Sequence, residues 1–114
     1  MTIITGKEKD QIAYVHKNSI LVPGSQEVVG VIIGDCVYGK AGVFKGKYIN
    51  KKIYSPDGEM LATESGNTGN VVIDLSAIMN QSWKVITSIK NHISPWVVLK
   101  STWAKYSLPE FLLS

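Results

Sequence analysis

The first 65 residues alternate between short apolar runs and turn residues, and this arrangement occurs four times. The runs begin 16, 17 and 16 residues apart, at Ile4, Ile20, Val37 and Ile53. Each run leads into a turn and then into a second stretch of residues that favour β-strands. In the fourth unit the turn is Ser55-Pro56-Asp57-Gly58, where proline presets φ and glycine accepts positive φ. The units are separated by dipeptides that tolerate tight reversals, Lys17-Asn18, Gly34-Asp35 and Asn50-Lys51.

Each unit also reaches a small residue nine or ten positions after its start. These residues form one column: Ala13, Gly30, Gly46 and Ala62. Four large side chains at equivalent strand positions around an axis would clash, whereas Ala or Gly permits close backbone approach. The alternatives are coincidence, or glycines that only ease sheet twist. We predict a mainly β fold of four tandem β-hairpin repeats of about 16 residues with approximate fourfold symmetry, followed by an amphipathic helix and a short tail.

Residues 34–41, GDCVYGKA, resemble a phosphate-binding loop. Such a loop has the form G-x-x-x-x-G-K-[ST] and lies between a strand and a helix, with a hydroxyl for magnesium. Here Ala41 replaces the hydroxyl, and Cys36-Val37-Tyr38 is typical of a strand. We therefore interpret this stretch as part of the third hairpin.

The repeats resemble a known family. The pairs Val37-Tyr38 and Ile53-Tyr54, the turn Asp57-Gly58 and the chain end from Ser101 to Phe111 are similar to the small bacterial and phage proteins called four-fold β-flower proteins. The resemblance covers residues 1–65 and, more weakly, 95–114. It implies a four-hairpin fold with approximate fourfold symmetry, and it offers no established activity or catalytic residues to carry over. Between residues 66 and 94 the chain departs from it, because a helical pattern replaces the Pro/Lys/Val-rich linker expected of the family.

We divide the chain into a four-hairpin domain (residues 1–65), a linker (66–72) and a helical, aromatic segment (73–114). Apolar or small residues of this segment recur at helical spacing, at Leu75, Ile78, Met79, Ser82, Ile86, Ile89 and Ile93. Asp74 is the predicted N-cap, and Ser94-Pro95 should end the helix. Trp96–Leu99 is predicted as a short strand, and residues 109–113 as a last helical turn.

The C-terminal segment is rich in aromatic side chains. We select five as candidates for an interaction surface: Trp83, Trp96, Trp103, Tyr106 and Phe111. Trp and Tyr are enriched at binding hot spots. In the alternative interpretation these side chains dock the helix and tail onto the β repeats, since aromatic residues dominate core burial.

Twelve lysines against nine acidic residues give a net charge of +3, and the chain has no arginine. Because bidentate recognition of phosphate and guanine is arginine chemistry, sequence-specific binding of nucleic acid is disfavoured. Five lysines are candidates for loose binding of anions: Lys40, Lys45, Lys47, Lys51 and Lys52. Alternatively, they protect exposed edge strands from aggregation.

Little in the sequence indicates catalysis. His16, His92 and the single cysteine, Cys36, lack the spacing of metal ligands, so we predict no metal and no cofactor. Cys36 is either a nucleophile activated by a histidine or, as we prefer, a buried strand residue. The carboxylates of the β repeats lie at predicted hairpin ends, which solvation alone explains. We assign no catalytic residue.

We therefore predict a non-enzymatic β-repeat protein that binds a protein partner or itself through the C-terminal segment. The alternative is non-specific binding of nucleic acid or an anionic ligand by the lysines of residues 40–52. A small hydrolase using Cys36 or the carboxylates is a third hypothesis. The N-terminus carries charged side chains from Lys7 onward, and no apolar run approaches the roughly 20 residues of a spanning helix. We expect a cytoplasmic protein with no contact with the membrane.

Overall fold

The structure, a computed structural model, describes residues 2–23, 25, 27–68, 74–90, 92 and 94–113. In this part of the chain eight antiparallel strands form a closed barrel, in which each strand pairs with the next and β8 pairs with β1. The elements are β1 (Thr2–Thr5), β2 (Gln11–His16), β3 (Ser19–Leu21), β4 (Val28–Ile33), β5 (Cys36–Gly39), β6 (Phe44–Ile49), β7 (Lys52–Tyr54), β8 (Met60–Thr68), α1 (Leu75–Ser88) and α2 (Leu108–Leu113).

The four hairpins are equivalent at the level of single residues. The aliphatic residue that starts each unit pairs with the small residue of the same unit: Ile4 with Ala13, Ile20 with Gly30, Val37 with Gly46, and Ile53 with Ala62. In all four hairpins the register shifts directly after the aliphatic residue. Such a shift bends the strands and increases their twist. The predicted fourfold repeat and its small column are therefore confirmed.

The turns repeat the same symmetry. Within each unit the first turn residue donates its amide to a carbonyl across the turn, Gly6 to Asp10, Val22 to Glu27, Gly39 to Val43, and Ser55 to Glu59. Between units, two-residue turns use left-handed backbone at Lys17, Gly34, Asn50 and Lys51. The stretch GDCVYGKA is a turn followed by β5, so its interpretation as part of a hairpin is confirmed.

The small column lies against the backbone of the neighbouring strand. A Cβ on Gly30 would come within 2.7 Å of the Tyr38 carbonyl oxygen, and a Cβ on Gly46 would overlap the equivalent oxygen of Tyr54. Gly46 also has φ +156°, which a residue with a side chain rarely adopts. The close approach of the strands, and not sheet twist alone, explains these two glycines.

The barrel interior is one apolar cluster, and α2 closes it at one end. The innermost strand residues, among them Ile4, Ile20 and Ile53, are fully buried together with Leu108 and Leu112 of α2. The short helix contacts β2, β4 and β5, and its Leu112 carbonyl accepts a hydrogen bond from the Lys40 amide. The predicted last turn of the chain is thus an integral part of the core.

The longer helix, α1, packs on the outside of the barrel over β4. Asp74 is its N-cap and accepts the amide of Ala77, as predicted. The buried side chains of the helix are Ile78, Ser82 and Val85, and the cap residue Ile89 is buried with them. The predicted C-terminal boundary at Ser94-Pro95 is wrong. The helix ends at Ser88 because Ile89 leaves helical geometry, at φ −71° and ψ 116°.

Polar contacts fix the position of α1 on the barrel. The hydroxyls of Ser19 and Ser82 are 2.5 Å apart in the buried interface, and the Gln81 side chain accepts the amide of Val28 at 2.9 Å. Each of these contacts joins a helix residue to a strand residue. Neither of the described helices has the length and apolar character needed to cross a membrane.

The tail after α1 crosses the outside of the barrel without forming the strand predicted at Trp96–Leu99. That prediction is wrong because β6, which residues 96–99 lie beside, already pairs with β5 and β7 and offers no free edge. Farther along, the tail pairs with the β7–β8 hairpin through bonds from Lys100 to Gly58 and between Met60 and residues 102 and 104. In addition β8 continues to Thr68, three residues beyond the predicted boundary, and residues 69–73 of the linker region lie outside the described residues.

Candidate functional site

A buried lysine on the outer face of β6 is the centre of a polar cluster on the barrel wall. The Lys47 side chain is only 6% exposed. Its ammonium donates to Asp35 Oδ1 at 3.2 Å, to Ser94 Oγ at 2.8 Å and to Cys36 Sγ at 3.6 Å. The barrel contributes Asp35 and Cys36 from the β4–β5 turn and the start of β5, and the tail contributes Ser94. Burial of an unpaired ammonium is costly, so the Asp35 carboxylate compensates its charge, and the hydrogen bond to Ser94 joins the tail to the barrel.

The three partners of Lys47 are not equally strong acceptors. The hydrogen bond from Lys47 lowers the pKa of the Asp35 carboxyl below its ordinary value, and the thiol of Cys36 adds a smaller contribution of the same sign. A thiol sulfur is a weak acceptor compared with a carboxylate or hydroxyl oxygen. The Asp35 side chain is 51% exposed, so water reaches the ion pair from one side. One of the three N–H groups of Lys47 therefore has only a weak partner among the described residues.

The cluster lies at one side of an apolar cleft of about 530 Å³. The barrel supplies Asp35, Lys47 and Ile49, and the tail supplies residues 94–99. Trp96 forms part of this wall and is 91% exposed. We call this feature the Lys47 cleft. The sequence predicted Lys47 only as one of several surface lysines, because an alternating strand pattern does not tell which outer face a later segment covers.

The five candidate lysines do not form one face. Lys40 pairs with Glu27 at 2.6 Å, and the Lys45 ammonium lies 4.9 Å from the centre of the Phe111 ring. Lys47 is buried, while Lys51 and Lys52 lie at the β6–β7 turn, at the opposite end of β6 from Lys45. The alternative that these lysines protect an exposed edge is wrong, because the barrel is closed and has no edge strand.

The aromatic candidates divide into two groups. Trp103, Tyr106 and Phe111 belong to the fold: the Trp103 backbone bridges to Met60, and the rings of Tyr106 and Phe111 stack at 4.7 Å. Trp83 and Trp96 point away from the core and are 66% and 91% exposed. The first group therefore docks the tail onto the β repeats, as in the alternative interpretation. Trp83 and Trp96 remain candidates for an accessible interaction surface.

Trp83 belongs to an exposed apolar row along α1. Leu75, Met79 and Trp83 follow one another at intervals of four residues, so they lie on the same side of the helix. They are 49%, 65% and 66% exposed. We call these three residues the exposed row. The predicted apolar face of the helix was thus partly wrong, because Leu75 and Met79 face solvent whereas Val85 faces the barrel.

A polar pair inside the barrel breaks the fourfold pattern. Equivalent positions are occupied by Val15, Ile32, Tyr48 and Glu64, each paired with the aliphatic residue of the following or first unit. Burial raises the pKa of the Tyr48 phenol, and its hydrogen bond to Glu64 adds to the effect. From the sequence, Glu64 is one of the carboxylates expected at hairpin ends. Its position in the repeat was the signal that it faces inward, because two of the other units have an aliphatic residue there.

The residues considered for catalysis are not brought together. Cys36 is buried in β5, as preferred for a strand residue, and its described neighbours are Lys47 and Asp35 rather than a histidine. His16 ends β2, and its buried Nε2 has no hydrogen-bond partner among the described residues. His92 is exposed, with its ring 6.2 Å from that of Tyr38. Cys36 and Asp35 are the exception, since the thiol donates to Asp35 Oδ1 at 3.5 Å.

Comparison with known proteins agrees with the architecture. A family model described as 4-fold beta flower protein matches residues 6–112, which include α1 and almost all of α2. No curated protein and no solved structure matches the chain. The helix α1, which replaces the linker expected of the family, therefore lies inside the matched range.

Proposed function

The chain belongs to the 4-fold beta flower family, and we propose that it is a non-enzymatic module that associates with a second copy of itself through the exposed row of α1. The observation that carries this proposal is the exposure of Trp83 and Met79 on a helix that the barrel holds in place. Contiguous apolar side chains that are exposed to water on a protein surface mark sites of association. Two copies would bury this surface from water.

The chemistry of the row favours a second copy as the partner. The only charged residue within α1 is Lys84, which directly follows Trp83 in the sequence and lies outside the row. Exposed neighbours on the side of the row away from the barrel, Ser76 and Asn80, are neutral. An isologous contact brings the same patch of both copies together. With a twofold axis at Met79, Leu75 of one copy would meet Trp83 of the other, and no like charges would face each other.

The row is short, so the association should be weak. Stable interfaces bury about 1,200–2,000 Å² in total, which three side chains per copy do not reach alone. We therefore expect a dimer with a Kd in the micromolar range or weaker. The contact would be regulated by protein concentration.

Sedimentation equilibrium of the full chain between low and high micromolar concentration tests this proposal. We expect a reversible monomer–dimer equilibrium that Met79→Lys abolishes, because the substitution places two ammonium groups opposite each other at the axis. Ser101→Lys is the control: it adds the same charge at an exposed position of the tail, outside α1, and should leave the dimer intact. A chain that stays monomeric at several hundred micromolar, or a dimer that survives Met79→Lys, would overturn the proposal.

Deletion of the C-terminal segment is an unsuitable test. The helix α2 fills the end of the barrel with Leu108 and Leu112, and α1 covers Val31. A chain truncated after the hairpins would expose both apolar surfaces and associate for reasons unrelated to the native contact. Single substitutions in the exposed row avoid this ambiguity.

Non-specific binding of nucleic acid remains a second, weaker proposal. Its support is the net charge of +3 and the pair Lys51 and Lys52 at one turn. The burial of Lys47 and the contacts of Lys40 and Lys45 remove three of the five candidate cations from an open face. Salt-dependent retention on heparin that Lys51→Glu/Lys52→Glu removes would support it, and retention unchanged by that variant would refute it. We further propose the cytoplasm as the compartment, since Cys36 has no second cysteine to pair with.

A further inference from the structure

The Lys47 cleft has the composition of a small-molecule site. Pockets for small ligands have volumes of about 300–1,000 Å³, apolar walls and a few convergent polar groups, and this cleft measures about 530 Å³. Its walls include Ile49, Pro95 and Trp96. Its polar groups are the Lys47 ammonium, the Asp35 carboxylate and the Ser94 hydroxyl, which contact one another.

The ammonium of Lys47 offers a hydrogen bond that the protein satisfies poorly. Asp35 and Ser94 accept two of its three N–H groups at 3.2 and 2.8 Å, and the third is directed to the Cys36 thiol at 3.6 Å. A carbonyl or hydroxyl oxygen is a stronger acceptor than sulfur. A ligand oxygen that replaces the thiol would therefore gain a charge-assisted hydrogen bond in a largely buried position.

The charges of the cleft select a neutral ligand. Lys47 and Asp35 already form an ion pair, so the polar end of the cleft carries no net charge. An anionic head group would face the Asp35 carboxylate or have to displace it, and a cationic one would face the buried ammonium. Each arrangement leaves one charge without a partner in a site of low polarity, which is costly.

We propose that the Lys47 cleft binds a small neutral molecule with an apolar body and one head group that accepts hydrogen bonds, such as a medium-chain alcohol or primary amide. The oxygen of the head group takes the hydrogen bond that Lys47 now directs to Cys36. The apolar body lies along Ile49 and Pro95 and covers Trp96, whose side chain is 91% exposed. Trp96 lies outside the exposed row, so this inference does not depend on self-association.

The test uses four probes with the same eight-carbon chain: octanamide, 1-octanol, octanoate and octylammonium. Each is titrated into the full ¹⁵N-labelled chain, and amide and indole shifts are followed by NMR. We expect saturable shifts at Lys47, Ile49 and residues 96–99. The two neutral probes should bind at least about tenfold more tightly than the two charged ones, because a charged head group would leave one charge of the cleft without a partner.

Two variants identify the contacts. Lys47→Met should weaken octanamide binding by at least about tenfold, whereas Lys52→Met, the matched control on β7 outside the cleft, should not. Trp96→Ala removes an exposed side chain that the fold does not use and should weaken all probes alike. Equal or tighter binding of octanoate or octylammonium, equal effects of the two Lys→Met variants, shifts centred outside the cleft, or no shifts up to the solubility limit of octanamide would each overturn the proposal.

Discussion

Gly46→Ala is the sharpest perturbation of the repeat that the structure suggests. An added Cβ would overlap the Tyr54 carbonyl oxygen on the neighbouring strand, and φ +156° is unfavourable for any residue with a side chain. The conformational term alone costs about 1–3 kcal/mol. The overlap is with backbone, so β6 and β7 must separate to relieve it. We expect a total loss of about 3–5 kcal/mol in the free energy of unfolding, a large share of the roughly 5–15 kcal/mol of a typical domain.

Two further substitutions separate the causes of this loss. Gly34 has φ +62° but open space around its added Cβ, so Gly34→Ala should cost only about 1–2 kcal/mol from the conformation. Ala62→Gly, in the same column as Gly46, creates no overlap and should cost about 1–2 kcal/mol from lost burial and added chain entropy. The comparison isolates the contact between the column and the adjacent strand.

Urea denaturation followed by far-UV circular dichroism measures all three variants against the parent chain. The expected order of destabilisation is Gly46→Ala first, with Gly34→Ala and Ala62→Gly well below it. If Gly46→Ala were no more destabilising than Gly34→Ala, close strand approach would not be the reason for the small column, and the explanation of the repeat given above would fail.

Three further predictions concern the core and the titrating groups. Leu112→Ala should cost about 2–5 kcal/mol in urea denaturation because Leu112 is fully buried; a loss below 1 kcal/mol would show that α2 does not close the barrel. The pKa of Asp35 is lowered in the fold, so its contribution to stability is present above the unfolded value and is lost as pH falls. Asp35→Asn should therefore flatten the loss of stability measured below about pH 4, and an unchanged acid limb would contradict this. The pKa of Tyr48 is raised, so its contribution is present below the unfolded value and is lost as pH rises. Tyr48→Phe should reduce the loss of stability measured above about pH 10, and an unchanged alkaline limb would contradict the burial of this phenol.

The hairpins were predictable because their signals are local. Each turn needs its own permissive residues, and each aliphatic start pairs with a small residue only nine or ten positions away. Spacing alone was therefore sufficient to align the units. Closure into a barrel was not predictable in this way, because the pairing of β8 with β1 joins residues about 60 positions apart and leaves no local mark.

The path of the tail was the least predictable feature. Trp96–Leu99 has the composition of a strand, yet strand formation needs an open partner edge, and the neighbouring β6 is already paired with β5 and β7. For the same reason Lys47 appeared to be an ordinary surface lysine: its burial depends on Ser94, 47 residues later in the chain. Both errors have one cause, since the missing information was tertiary and not local.

Departures from the fourfold repeat determine where the rest of the chain docks. A perfectly symmetric barrel would present four equal outer surfaces, and a single helix could bind any of them. The position directly after the small column differs in each unit: Tyr14, Val31, Lys47 and Thr63. Val31 is buried in the apolar cluster beneath α1, whereas Lys47 holds the tail through Ser94. Val31 and Lys47 therefore distinguish the barrel surface on which the helix packs from the surface that the tail contacts. The exposed row and the Lys47 cleft are both consequences of that choice, so the two surfaces proposed for binding arise from the places where the units differ rather than from the repeat they share.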